Sequence, residues 1–225
     1  MNINVLYEDN HLLIVDKPVN IPVQADSSED EDLLTLLKAY IKEKYNKPGD
    51  VFLGLVHRLD RPVGGAIVFA RTSKAASRLS NEVRLHKLER EYHAVVEGTL
   101  NQKKGTLTNY LFKNQAKNIS KVVHKNHKNT KEAKLDYEVK EAVDGLSLVK
   151  VKLHTGRSHQ IRVQLSHAGH PLIGDQKYNK NAEAGRQIAL YSTYLKVKHP
   201  TKDEYIEVSC QPPRTYPWSE FNVFN

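Results

Sequence analysis

Apolar and polar positions fall into short blocks along most of the chain, and most blocks have the length of a strand. Ile3–Tyr7 and His11–Val15 are apolar runs separated by Glu8-Asp9-Asn10, which predicts a hairpin closed by Lys17-Pro18. Leu53–Val56 and Ala66–Ala70 flank a charged cluster, His57-Arg58-Leu59-Asp60-Arg61, followed by Pro62 and Gly64-Gly65. Short apolar runs bounded by Pro and Gly predict buried strands, so the cluster becomes a loop between two core strands. Glu91–Glu97, Thr106–Phe112, Ile119–Val123, Ala133–Val139, Leu146–Leu153, Gln187–Leu195 and Tyr205–Cys210 read as further strands.

Three segments carry helical spacing. Leu33, Leu34, Leu36, Leu37, Tyr40 and Ile41 follow an acidic turn, Asp26–Asp32, and Pro48-Gly49 ends that element. Thr72-Ser73 caps a helix running to about Leu88, with Ala76, Leu79, Val83 and Leu88 as its buried stripe. Ser158 caps a helix from His159 to about Ala168, with Gly169 as the C-cap. Pro212, Pro213, Pro217 and Trp218 mark an ordered coil. Strands outnumber helices and few alternate singly with them, so the pattern predicts an α+β fold with a mixed, mainly antiparallel sheet. No repeat and no Gly/Ser or Pro linker divides the chain, so one domain over residues 1–225 is expected.

Composition narrows the class. The chain has 225 residues, 39% of them hydrophobic, enough for a core. No run approaches membrane-spanning length and no leader pattern opens it, so a cytoplasmic monomer is expected. Cys210 is the one cysteine, which excludes an intramolecular disulfide and a thiolate zinc site and suits an inert strand residue. A net charge of +8 predicts attraction to polyanions. Nine lysines and a single acid, Glu132, lie between Asn101 and Lys134, which makes that stretch a basic face. Lys121, Lys125 and Lys128 are its candidate phosphate contacts.

Candidate chemistry centres on Asp60, the only acid in its loop, between Arg58 and Arg61. Neighbouring cations keep a carboxylate ionised, as a nucleophile or base requires. Taken alone, the same residues more often make a salt-bridged turn. Arg162, on the helix face of His159 and Ser166, could grip a carboxylate with two prongs or lie on the surface. His154, His159, His167 and His170 crowd one stretch, but neither HExxH nor the PCxxC of zinc deaminases occurs, so no metal is expected. GxxxxGK[ST] and GxGxxG are absent, leaving nucleotide cofactors without support.

Three segments carry a resemblance. HRLDRPVGGAIVFART resembles the signature of RluA-type pseudouridine synthases, commonly HRLDRxTSG before an apolar strand. EREYHAVVEG and LHTGRSHQIRVQLSHAGHPLIGD are similar to two later segments of that family, and YEDNHLLIVDKPVNIPV to its entry segment. Val63 and Gly64 stand where the pattern has Thr and Ser, and they shape the loop. The resemblance covers nearly the whole chain. It implies a bent, mainly antiparallel sheet, and Asp60 as the catalytic residue. It also implies Arg162 as the partner of Asp60, Tyr92 stacked on the target base, and Leu153 packed against that base. His57, Arg58 and Arg61 would lie against the RNA. It implies RNA as the partner, ribosomal or transfer, with no cofactor and no membrane. Because the family pattern begins at residue 3, a preceding RNA-binding domain is not expected. The reaction would break the N1–C1′ bond of a flipped-out uridine and join C5 to C1′. Asp60 could attack C1′, add to C6, or remove the 2′ hydrogen. A catalytically silent RNA-binding or RNA-folding protein, or a metal-dependent RNA hydrolase, are the alternatives.

Overall fold

The structure, a computed structural model, describes residues 3–224. Its elements in chain order are β1 (Asn4–Glu8), β2 (Leu12–Lys17), α1 (Leu33–Lys44), β3 (Gly54–Leu55), β4 (Gly64–Ala70), α2 (Ser73–Arg84) and β5 (Glu89–Glu97). There follow β6 (Lys104–Asn114), β7 (Ile119–Val123), β8 (Lys131–Val143), β9 (Leu146–Leu153), α3 (Gln160–His167), β10 (Leu190–Lys198) and β11 (Tyr205–Ser209). Each strand pair with an assigned register is antiparallel, as the block pattern predicts. The residues divide into two compact units, one built from the chain up to Glu89 with Ser192–Cys210, the other from Arg90–Tyr191 and the segment from Gln211 onward.

In the first unit the strands run β1-β2-β4-β10, with β11 on β10 and β3 on β4. Leu12 to Val15 and all of β4 are buried, which is why they read as unbroken apolar runs rather than alternations. Leu12, Ile14, Ala66, Val68 and Ala70 pack with Ala75 and Leu79 of α2, and with Leu88, Leu195 and Val197. Thr72 caps α2 by accepting from the Ala75 N–H at 3.1 Å. The helix stops at Arg84, short of the expected Leu88, because His86 turns left-handed (φ 58°) and carries Leu88 into the core from outside the helix. At the start of β4, Gly65 has φ 113°, and a Cβ there would fall 2.2 Å from the Ser192 carbonyl oxygen. Only glycine lets β10 lie that close.

In the second unit the order is β5-β9-β8-β6-β7. Cross-strand partners share a face and neighbours along a strand alternate, so the registers sort its residues. Tyr92 opposes Val151, Tyr137 opposes Val151, and Leu135 opposes both Leu153 and Leu107. That face also carries Leu111 and Ala133, against which Val163 of α3 packs, with Val122 and Tyr178 beside them. The other face carries His93 at its β5 edge, where Phe224 of the C-terminal segment meets it edge-on at 5.2 Å. Burial, with help from Lys150 and Lys140, pushes the His93 imidazole down to about 4.

Candidate active site

The Asp60 loop is braced from below. The Asp60 carbonyl accepts from the Val63 N–H at 2.9 Å, closing a turn over Arg61 and Pro62. His57 is buried beneath the loop, with Nε2 accepting from the Val68 N–H at 3.1 Å, so it supports the loop rather than lining its surface. Lys17, the last residue of β2, is wholly buried, and its Nζ donates to the carbonyls of Pro18 (2.9 Å), Ile21 (2.7 Å) and Arg61 (3.0 Å). Three acceptors match the three donors of an ammonium. Burial pushes this group down to about 7, while the Asp60 charge pulls it up. Lys17 thus clamps the loop after β2 to the Asp60 loop.

The two arginines of the loop part company. Arg61 is held by the acidic turn: it pairs with Asp30, donates to Ser28 Oγ at 2.9 Å, and reaches the Asn20 carbonyl at 3.2 Å. The same acidic turn starts α1 as expected, Asp32 capping it by accepting from the Thr35 N–H at 3.1 Å. Arg58 is exposed and has no ion pair among the described residues.

In the second unit, Tyr92, Leu153 and the helix bearing Arg162 share one face. Arg162 is buried, not on the surface. Its Nε and Nη2 grip Asp175 Oδ2 and Oδ1 at 2.8 and 2.7 Å, and its guanidinium carbon lies 5.2 Å from the centre of the Tyr178 ring. Asp175 also accepts from the Lys177 N–H at 3.1 Å. The Tyr178 hydroxyl accepts from the Ser120 N–H at 2.8 Å and meets His159 Nδ1 at 2.7 Å. Residues Gln160 to Leu165 are all buried, so this part of α3 is enclosed on every side.

The start of α3 also differs from expectation. His159 occupies the cap position in the left-handed region (φ 55°) and makes no side-chain cap. Gln160 orders the turn before the helix instead: its Oε1 accepts from Thr155 Oγ1 (2.7 Å) and the Arg157 N–H (3.0 Å), and its Nε2 donates to the Lys134 carbonyl at 3.1 Å. Ser158 faces elsewhere, its Oγ accepting from Lys113 Nζ at 2.9 Å and its carbonyl from Ser120 Oγ at 2.7 Å. The four clustered histidines have separate surroundings. His154 pairs with Asp136 at 2.6 Å, His170 with the Glu97 carbonyl at 3.0 Å, His159 with Tyr178, and His167 is exposed.

The basic stretch splits between the two faces. Val122 faces α3, so its neighbour Lys121, opposite Phe112, points to the other side of the sheet. Lys113 and Lys177 are held on the α3 side, by Ser158 and by the Asn118 carbonyl (3.2 Å). A cleft of about 250 Å³ lined by Leu100, Tyr137, Leu165 and His170 holds none of the candidate residues.

A profile of the RNA pseudouridylate synthases matches residues 11–167. The chain belongs to that family. It is 35% identical over 212 residues to an uncharacterized RNA pseudouridine synthase of Bacillus subtilis, covering 94% of this chain and 69% of the relative. It is 31% identical over 222 residues to ribosomal large subunit pseudouridine synthase D of Haemophilus influenzae, covering 91% and 66%. The chain thus spans about two thirds of the length of these relatives. A solved human structure, RNA pseudouridylate synthase domain containing 4, superposes with a TM-score of 0.79 at 21% identity over 94% of this chain and 89% of that one, which shows the shared fold.

The family-matched segment contains Asp60, Tyr92, Leu153 and Arg162. At its departure from the family pattern, Val63 is 2% exposed and Gly64 is buried, so both belong to the core under the loop. Sequence reasoning missed Lys17 and Asp175. A lysine inside an apolar strand was the available signal for the first, since a fully buried lysine needs partners. Asp175, 13 residues beyond Arg162, left no local signal. Lys17→Met should cost at least about 2 kcal/mol, because three carbonyls lose their donor. Denaturant unfolding measures this, and a loss below about 0.5 kcal/mol would show that Lys17 is not the clamp.

Proposed function

We propose that this chain isomerises uridine in RNA to pseudouridine, with Asp60 as the catalytic carboxylate and both compact units acting as one catalytic domain. The observation that carries the reading is the Asp60 loop: one acid, on a turn braced by Lys17 and His57, inside the family-matched segment. The target base leaves the stack. Its N1–C1′ bond breaks, the ring turns, C5 joins C1′, the C5 hydrogen goes to solvent, and N1 regains a proton. No oxidant, reductant or cofactor enters that balance. Tyr92 and Leu153 hold the detached uracil. Arg162, which the family resemblance pairs with Asp60, keeps that carboxylate charged. Arg58 takes the RNA side of the loop.

Because C5 loses its hydrogen, RNA made with tritium at uridine C5 reports turnover directly. Tritium release to solvent that persists in EDTA supports the reading. Strand cleavage that EDTA abolishes would support a metal-dependent hydrolase instead. One relative is named for the large ribosomal subunit, so ribosomal RNA is the first substrate to offer.

Phosphate binding is assigned to the α3 side of the basic stretch. Neutralising Lys113, Arg157 and Lys177 together should make the slope of log affinity against log salt shallower, by roughly 0.7–0.9 for each phosphate that no longer meets a cation. Neutralising Lys121, Lys125 and Lys128 should change it less. Salt titrations that rank the two triple variants the other way would put the RNA on the opposite face.

A further inference from the structure

We propose that Arg90 is a binding residue for the target nucleotide, taking the phosphate attached to the uridine that Tyr92 stacks; this rests on the reading above. Arg90 is 7% exposed. Among the described residues its guanidinium has no carboxylate and no hydrogen-bond partner, and its Nε is sealed from solvent and unsatisfied. A buried charge without a partner is costly, and native proteins pair such groups. The chain leaves this one unpaired in a position that a substrate can reach.

That position follows from the register. Arg90 precedes Tyr92 by two residues on β5, which puts both on the face of α3, about 6.5 Å apart along the strand. Glu91 opposes Lys152, so Arg90 and Leu153 are each one step from that pair and on the same face. Over the guanidinium lies the loop that leads into α3. A Cβ on Gly156 would sit 2.9 Å from Arg90 Nη1 and 3.3 Å from Nη2. Gly156 is exposed, so the absence of its side chain is what opens the end of the guanidinium to solvent. Uracil is neutral and cannot compensate the charge. The phosphodiester is the anion that accompanies it, and a planar guanidinium binds it with two parallel hydrogen bonds.

The probes are uridine and uridine 5′-monophosphate, titrated by NMR against wild type, Arg90→Gln, Arg90→Lys and Gly156→Ala. Wild type should prefer the monophosphate by about tenfold or more. Arg90→Gln should abolish that preference and Arg90→Lys should keep part of it. Gly156→Ala should reduce it with Arg90 still present, because the new methyl group displaces the guanidinium. Without ligand, Arg90→Gln should melt no lower than wild type, since it removes an uncompensated charge. A wild type without preference for the monophosphate, or a preference that survives Arg90→Gln, would overturn the proposal. So would a lower melting temperature of Arg90→Gln with the preference intact, which would make Arg90 a structural brace for the Gly156 loop. Tritium release by wild type tests the underlying reading independently of these outcomes.

Discussion

Asp60→Asn should lower pseudouridine formation by at least about a thousandfold and leave RNA affinity within a few-fold of wild type. The amide has nearly the shape of the carboxylate, so the turn closed from the Asp60 carbonyl to the Val63 N–H persists. What disappears is the negative charge, and with it the nucleophile or base that each of the three chemical routes requires. The Lys17 clamp acts on backbone carbonyls and is untouched by the change. Loss of RNA binding together with turnover would point to a disturbed loop. Turnover within tenfold of wild type, with deamidation excluded by mass spectrometry, would remove Asp60 from the chemistry.

The second large effect is expected at the pair between Arg162 and Asp175. Their side chains are 5% and 0% exposed and share two hydrogen bonds. Arg162→Ala leaves a buried carboxylate with, among the described residues, only the Lys177 N–H, and breaking a buried pair costs about 3–5 kcal/mol. Arg162→Lys restores charge but not the fork, so stability should recover in part. The double change Arg162→Met with Asp175→Val removes both charges and should recover more stability than Arg162→Ala, because burying neither ion avoids both desolvation costs. On the proposed role of Arg162 in keeping the catalytic carboxylate charged, activity should stay low in all three. Denaturant midpoints and tritium release, measured side by side, separate the two roles. Full activity in the double variant would confine Arg162 to a structural part.

What the sequence made legible was local. β7 and β9 fall on the expected residues, and the left-handed turn at Asp144-Gly145 marks the start of β9 without help from the rest of the chain. Thr72 was legible as a cap because it acts three residues away. The features that escaped depend on distant partners. Ser158 looked like a cap until Lys113 and Ser120, 45 and 38 residues away, engaged it, leaving Gln160 to order the turn. For Arg162 the residues alone left a grip on a carboxylate and a surface place both open, and it is Asp175 and Tyr178, 13 and 16 residues on, that account for its burial. Lys17 read as a strand break, since nothing nearby announces that Arg61 lies 44 residues on in sequence but 3.0 Å away. For the site, motif resemblance supplied Asp60, Tyr92, Leu153 and Arg162; periodicity alone would have assigned most of them to the core.

Pseudouridine made through Asp60 would leave its mark on the RNA of the cell. Mapping pseudouridines across total RNA tests this most directly, in cells lacking the gene and in the same cells supplied with wild type or with Asp60→Asn. One or a few pseudouridines should vanish with the gene, return with wild type and stay absent with Asp60→Asn. An unchanged map after deletion, or a map restored by the asparagine variant, would contradict this.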